Sequence, residues 1–248
     1  MKAVLEIRHE EDATTRWSQG AYERIYDTAG IRHRDFFYQW LLDLLDVQSG
    51  HRLLDISCGV GSLPRLAAKA GVEAHGMDFS EAALRVAHRE APEMRLSLAD
   101  AECLPYPDAH FDYVTNIGSL EHYAHPMAGA REIARVLAPD GEACILVPNT
   151  FGLLGNVWTA LRTGRTFDDG QPIQRYAARL EWQSLLETAG LKVNRTVKYE
   201  RARPRSLADV RWYLAHPKDL IRLCLAPFVP LNWANYFVYL CSKAPRVG

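Results

Sequence analysis

Residues 52–62, RLLDISCGVGS, decide how the rest of the chain is read. Leu53, Leu54 and Ile56 form a short apolar run suited to a strand covered on both faces. The run breaks into Ser57, Cys58, Gly59, Val60 and Gly61, after which Ser62 is placed to cap a helix running to about Ala70. A strand, a glycine turn and a helix N-terminus make a ligand site. Glycine lacks a Cβ, so a ligand can approach the backbone closely, and the orphan N–H groups of the first helical turn face it. The pattern is DxSxGxG, whereas a pyrophosphate loop is written GxGxxG, so a nicotinamide dehydrogenase lacks its fingerprint here.

The chain outward from this stretch supplies the partners. Asp78 stands nineteen residues beyond Gly59, after the strand-like segment 72–77, where an acidic side chain at a strand tip accepts from ribose hydroxyls. Ser80 caps a helix over residues 81–90, ended by Ala91-Pro92. Residues 94–98 read as a third strand followed by Asp100, and 113–117 as a fourth containing Asn116. Asp55, Asp78, Asp100 and Asn116 thus fall at four predicted strand ends, the edge where open α/β sheets bind ligands. Pro126 opens a helix with Ile133, Val136 and Leu137 on one face. Pro139-Asp140-Gly141 reads as a turn, 143–147 as the fifth strand, and Trp182, Leu185 and Leu186 as a helix ending at Gly190. Residues 191–199 form a sixth strand, and the apolar run 235–242 (NYFVYLCS) a last one. Alternating strands and helices imply a doubly wound α/β sheet with right-handed crossovers. Upstream, residues 1–15 read as loose and polar. Residues 16–47 are helical and aromatic, with Trp17, Tyr22, Tyr26, Phe36, Phe37, Trp40, Leu41, Leu44 and Leu45.

Composition bounds the function. The chain has 248 residues, 48% hydrophobic and 24% charged, with a formal net charge of −1. That profile suits an ordinary globule and gives no global field calling for nucleic acid or an anionic surface. Five cysteines (Cys58, Cys103, Cys144, Cys224 and Cys241) are scattered without a CxxC pair. They read as reduced thiols in a cytoplasmic protein, with no structural metal and no disulfide framework. The N-terminal MKAVLEIRHEEDATT lacks a signal-peptide core, and no stretch approaches the ~20 apolar residues of a membrane span. In residues 195–222 eight basic residues face three acidic ones, interleaved with Trp212, Tyr213, Leu214 and Leu220. That segment reads as a solvated helical cap or as a peripheral contact for a lipid or anionic acceptor.

DISCGVG, GMDFS, LADAECLPYPDAHFDYV and SLEHYAHP, in this order and at these intervals, resemble the class I S-adenosylmethionine-dependent methyltransferases. The likeness is to the small-molecule branch that includes ubiquinone and menaquinone methylases. It is specific over residues 41–148 and looser beyond. Such proteins usually carry Gly where this chain has Ser57, and a serine is expected to keep φ negative there. The resemblance implies a Rossmann-like seven-stranded sheet, mostly parallel with the last strand antiparallel. It implies one domain over 1–248: a helical lid (1–47), a cofactor core (48–148), acceptor-pocket and cap insertions (149–225) and a final strand (226–248).

The residue roles it implies are these. Asp55 holds the methionine ammonium, and the turn of Ser57, Cys58, Gly59 and Gly61 admits the methionine moiety. Asp78 takes the ribose hydroxyls with Phe79 against the adenine. Asp100, Ala101 and Glu102 meet the adenine edge, and Asn116, Ile117, Gly118 and Leu120 face the methionine end. S-adenosylmethionine brings the activation and leaves as S-adenosylhomocysteine, so the protein supplies alignment and a dry pocket, with no metal. His122 is the candidate general base, since imidazole titrates in the useful range; Glu121 and Tyr22 are further candidates. Tyr22, Tyr26, His122, Tyr123 and Asn149 are candidate acceptor contacts, and His125 is a further candidate base. The expected reaction is methyl transfer to a small hydrophobic or aromatic acceptor, with oxygen as nucleophile. Transfer to nitrogen or carbon of a metabolite or lipid, methylation of tRNA or protein, and a non-catalytic cofactor-binding subunit stand as alternatives. The sequence sets neither the acceptor nor the oligomeric state.

Overall fold

The computed structural model describes residues 3–9, 15–28 and 30–245. In chain order the elements are β1 (Val4–Arg8), α1 (Thr15–Thr28), α2 (Asp35–Leu45), β2 (Arg52–Ile56), α3 (Ser62–Lys69), β3 (Glu73–Asp78) and α4 (Glu81–Glu90). Then come β4 (Arg95–Leu98), β5 (Phe111–Ile117), α5 (Pro126–Val136), β6 (Leu137–Pro148), α6 (Trp158–Thr163), β7 (Ile173–Ala177) and α7 (Arg179–Thr188). The chain closes with β8 (Leu191–Tyr199), α8 (Leu207–Ala215), α9 (Pro217–Leu225) and β9 (Tyr236–Lys243).

Seven strands form one sheet in the order β4-β3-β2-β5-β6-β9-β8. The pairs among β2 to β6 are parallel, and β9 runs antiparallel between β6 and β8. This is the expected doubly wound sheet, with its last strand beside the fifth of the core. The strand order reverses between β2 and β5, and a crevice opens at such a point beyond the strand ends. Each face is covered. Val114, Ile145, Phe237 and Tyr239 pack with Ile133 of α5 and Trp182 of α7, whereas Leu53, Cys144, Val238 and Leu240 pack with Phe37 and Leu41 of α2 and Leu63 of α3. Successive residues of β9 therefore alternate between two buried faces, which is why NYFVYLCS reads as an unbroken apolar run.

Four expectations need correction. Val4–Arg8 is not loose: β1 pairs antiparallel with β7 in a separate two-stranded sheet. Residues 1, 2 and 10–14, and the side chain of Trp17, lie outside the described residues. Ser62 is the first residue of α3, and Gly61 holds the cap position at φ 73°, while Ser80 caps α4 as expected by accepting from the Ala83 N–H. Leu137 opens β6, so it does not extend the apolar face of α5. Pro139-Asp140-Gly141 lies inside β6, but the ladder jumps from Phe111↔Leu137 to Tyr113↔Glu142. The turn survives as an excursion of that strand.

Candidate active site

The glycine turn places the first groups. After β2 the backbone takes φ 60° at Ser57, 54° at Gly59 and 73° at Gly61. The Cys58 N–H donates to the Met77 carbonyl at 2.9 Å, tying the turn to the end of β3. Asp78, at that end, accepts from the Gly59 N–H at 2.8 Å and the Ser80 N–H at 2.9 Å. Gly59 needs to be glycine for a second reason: a Cβ there would lie 2.6 Å from the Tyr26 hydroxyl. The expectation that Ser57 keeps a negative φ fails. It sits in the left-handed region, a conformation that costs a non-glycine residue about 1–3 kcal/mol. Its hydroxyl is held 2.9 Å from Tyr123 Oη.

A cavity of about 410 Å³ opens over this turn. At the end of β2 it is lined by Asp55, Ser57, Cys58 and Gly59, and at the end of β3 by Asp78 and Phe79. Asp100, Ala101 and Glu102 follow β4, and Ile117 and Gly118 follow β5. Fourteen residues were assigned to a cofactor from the sequence; Gly61, Asn116 and Leu120 do not line this cavity. A Cβ on Gly61 would meet Met94 and Ala87, so that glycine serves the turn and helix packing. Leu120 is fully buried in the core. Asn116 is buried too: its Nδ2 donates to Tyr123 Oη at 2.7 Å, and its Oδ1 accepts the Leu120 N–H at 3.1 Å. It holds the loop that follows β5.

Burial sets the charge of the carboxyls. Desolvation raises Asp55 to about 7, against the Thr115 hydroxyl donating at 2.6 Å. Desolvation likewise raises Asp78 to about 6, opposed by the backbone N–H groups of Ser80 and Gly59. Asp78 spends one bond on each oxygen and Asp55 spends one in all, so both retain acceptor capacity for a ligand. The residues fit S-adenosylmethionine on this count: spare carboxylate lone pairs at two adjacent strand ends, the Phe79 ring beside them, and a backbone cradle that a Cβ would fill.

Glu121 and His122 reach the cavity from a 3₁₀ turn, Leu120–His122, which follows β5. His122 Nδ1 lies within hydrogen-bond distance of the Ile173 carbonyl. A carbonyl only accepts, so Nδ1 carries the proton and Nε2 keeps its lone pair. Burial pushes the imidazole pKa down, so it is neutral at pH 7. Nε2 stands 3.8 Å from Glu121 Oε1. Glu121 is 3% exposed, burial raises it to about 8, and its Oε2 has no hydrogen-bond partner among the described residues. Tyr22 sets its ring against Phe79 and edge-on to His122. Its hydroxyl donates to Gln171 Oε1 at 2.6 Å, and burial drives its pKa well up. Tyr26 and Tyr123 line the cavity as well. Asn149 lines it, but its amide is spent on the Ala234 and Asn232 carbonyls and the Phe151 N–H. His125 bonds Glu102 at 2.8 Å on the surface side, with its side chain 77% exposed.

One organiser has no counterpart in the sequence reading. Arg175 of β7 is 4% exposed. It pairs with Glu6 across the β1–β7 ladder at 2.6 Å and donates to the Glu121, Tyr123 and Ala124 carbonyls. A guanidinium fork can gather several oxygens at fixed geometry, and here it shapes the loop carrying Glu121 and His122. Gln174 and Tyr176 of the same strand line the cavity, as do Arg201 and Arg222.

Residues 54–145 match the family described as a methyltransferase domain. The chain is 38% identical over 162 residues to "Methyltransferase GfsG" of Streptomyces halstedii, covering 61% of this chain and 56% of that protein. It is 34% identical over 144 residues to "Ubiquinone biosynthesis O-methyltransferase" of Alkalilimnicola ehrlichii, covering 55% of this chain and 56% of that one. The chain thus spans a little over half the length of these relatives. The crystal structure of the [4+2]-cyclase SpnF superposes with a TM-score of 0.61 at 23% identity, covering 85% of this chain and 81% of that one. This last likeness shows the fold alone.

Proposed function

With a methyltransferase domain at residues 54–145 as the premise, we propose that the chain transfers a methyl group from S-adenosylmethionine to an oxygen of a small, hydrophobic or aromatic acceptor. The observation that carries this reading is one cavity with Asp55, Gly59 and Asp78 at one end and Glu121 and His122 at the other. S-adenosylmethionine, when bound, supplies a methyl group already activated on a sulfonium. Asp78 takes its ribose hydroxyls, Asp55 its ammonium, Phe79 its adenine, and Asp100, Ala101 and Glu102 the base edge. The chain then aligns, excludes water and handles one proton.

His122 handles that proton. His122 lines the cavity with Nε2 free of the Ile173 bond, and a neutral imidazole accepts from a hydroxyl, typically for a gain of about 10²–10⁴-fold. The protonated Glu121 beside it neither repels a neutral acceptor nor competes as an anion. That favours an alcohol or phenol over an amine, which would ionise the carboxyl. The "O-methyltransferase" of the relative's name is in line with oxygen as nucleophile. Division of the chain into lid, core and cap belongs to the same reading: α1 lies over the cavity, with Gln19 Nε2 donating to the Phe79 carbonyl at 2.7 Å. Leu207, Leu214, Ile221 and Phe228 are exposed in a segment rich in arginine, which supports a lipid-borne acceptor. No helix among the described residues is long and apolar enough to cross a membrane.

The test is a calorimetric titration with S-adenosylmethionine, S-adenosylhomocysteine and NAD, followed by methyl incorporation into a panel of phenols, quinol precursors, amines and fatty acids. Micromolar binding of the two sulfur compounds and labelling of a hydroxyl support the reading. Binding of NAD alone sinks it, and labelling of amines alone moves the nucleophile to nitrogen.

A further inference from the structure

Ser57 occupies a left-handed backbone position, φ 60°, which glycine takes without strain. What the serine adds is a hydroxyl, and that hydroxyl goes to Tyr123 Oη at 2.9 Å. The same phenol oxygen accepts from Asn116 Nδ2 at 2.7 Å, and Asn116 Oδ1 accepts the Leu120 N–H at 3.1 Å. Tyr123 is also wedged against α5, where a Cβ on Gly129 would lie 2.4 Å from its ring. The phenol is therefore fixed from three sides, and one of them is the glycine turn. Both Ser57 and Tyr123 line the cavity, and Tyr123 directly follows the turn that carries Glu121 and His122.

We propose that Ser57 is a positioning residue: through its hydrogen bond to Tyr123 it couples occupancy of the glycine turn to the conformation of the Leu120–His122 loop. The proposal rests on the cofactor reading above. A ligand seated on the turn restrains Ser57 in its strained conformation. The bond to Tyr123 passes that restraint to the loop, which Arg175 and Asn116 already hold from its other sides, so filling the turn tightens the base and its neighbour. Ser57 touches no reacting atom in this role. A strained residue persists where its surroundings over-determine it, and the tyrosine–asparagine pair is that surrounding.

The test uses S-adenosylhomocysteine as the probe, with the wild type, Ser57→Gly, Tyr123→Phe and the double variant. Ser57→Gly relaxes the backbone and Tyr123→Phe removes one atom, so both keep the fold; melting temperatures check this. The expected result is binding weakened about 5–10-fold in Ser57→Gly, the effect of one hydrogen bond, at least as much in Tyr123→Phe, which also loses the Asn116 bond, and no further in the double variant than in Tyr123→Phe. Amide exchange across residues 120–125 slows on binding in the wild type and not in Ser57→Gly, while the amides of residues 58–62 are protected in both. Equal affinity and equal protection of residues 120–125 in Ser57→Gly overturn the coupling alone. A wild type that binds no S-adenosylhomocysteine overturns the cofactor reading and this one together.

Discussion

In the proposed reaction Asp78 and His122 act through single atoms, and each makes a separate prediction. Asp78 holds two backbone N–H groups and keeps lone pairs for two more donors. Replacing it by alanine removes charge-assisted bonds worth about 1.5–3 kcal/mol each and leaves the Gly59 N–H without its partner. Affinity for S-adenosylhomocysteine in Asp78→Ala is expected to fall at least about 100-fold by calorimetry; a variant that binds as the wild type does takes the ribose role away from Asp78. His122→Ala is expected to lose about 10²–10⁴-fold in kcat at unchanged cofactor affinity, and full kcat at every pH would remove the base. Both positions can be picked out in the sequence because strand ends and the turn after β5 are found from apolar runs, and both line the cavity. Asn116 and Leu120 were misplaced for the same reason. Position at a strand end does not say whether a side chain points over the edge or back beneath it, and Asn116 turns back to hold Tyr123.

Elements that bring polar groups into a site are harder to read. The parallel core announced itself through apolar strands, but β1 and β7 did not. Their registered pair Glu6↔Arg175 is a charge pair in a sequence pattern that expects buried strands to be apolar. Arg175 is buried because its work is inside: three carbonyls of the Glu121–Ala124 loop converge on it. Lysine keeps the charge but cannot reproduce the fork. Arg175→Lys is therefore expected to lower kcat about tenfold or more, with a smaller loss of S-adenosylhomocysteine affinity passed on through the Tyr123–Ser57 bond. Equal losses in kcat and affinity would mean that β7 supports the whole cavity. On the opposite side, Glu23 of α1 accepts from the Glu81 N–H at 2.7 Å and the Ala82 N–H at 2.8 Å. Helix α1 thus supplies a carboxylate at the α4 N-terminus, where a helix favours negative charge. Glu23→Ala is expected to speed release of S-adenosylhomocysteine in stopped flow, and an unchanged off-rate would deny α1 a part in retention.

Across the whole molecule, three buried carboxyls gather at one edge of the sheet: Asp55 near 7, Asp78 near 6 and Glu121 near 8, each raised first by desolvation. A raised carboxyl holds a proton in the folded chain that the unfolded chain has already released. Its contribution to stability is therefore full below the unfolded value and is lost as pH climbs through the folded one. For Glu121 that window runs from its ordinary 4.5 to about 8. His122, lowered by burial, acts in the other direction: the unfolded chain binds its proton below about 6.5, so stability rises towards neutrality. The melting curve of the wild type against pH sums both signs, and only a difference between chains separates them. Glu121→Gln keeps the shape of the side chain and removes one titration. Its melting temperature relative to the wild type is expected to climb between pH 5 and pH 8 by about 2–4 °C or more, the shift that 1 kcal/mol produces in a chain of this length. A gap that stays flat over this range would mean that Glu121 ionises in the folded chain as it does in water, and the preference for a hydroxyl over an amine would lose its physical basis.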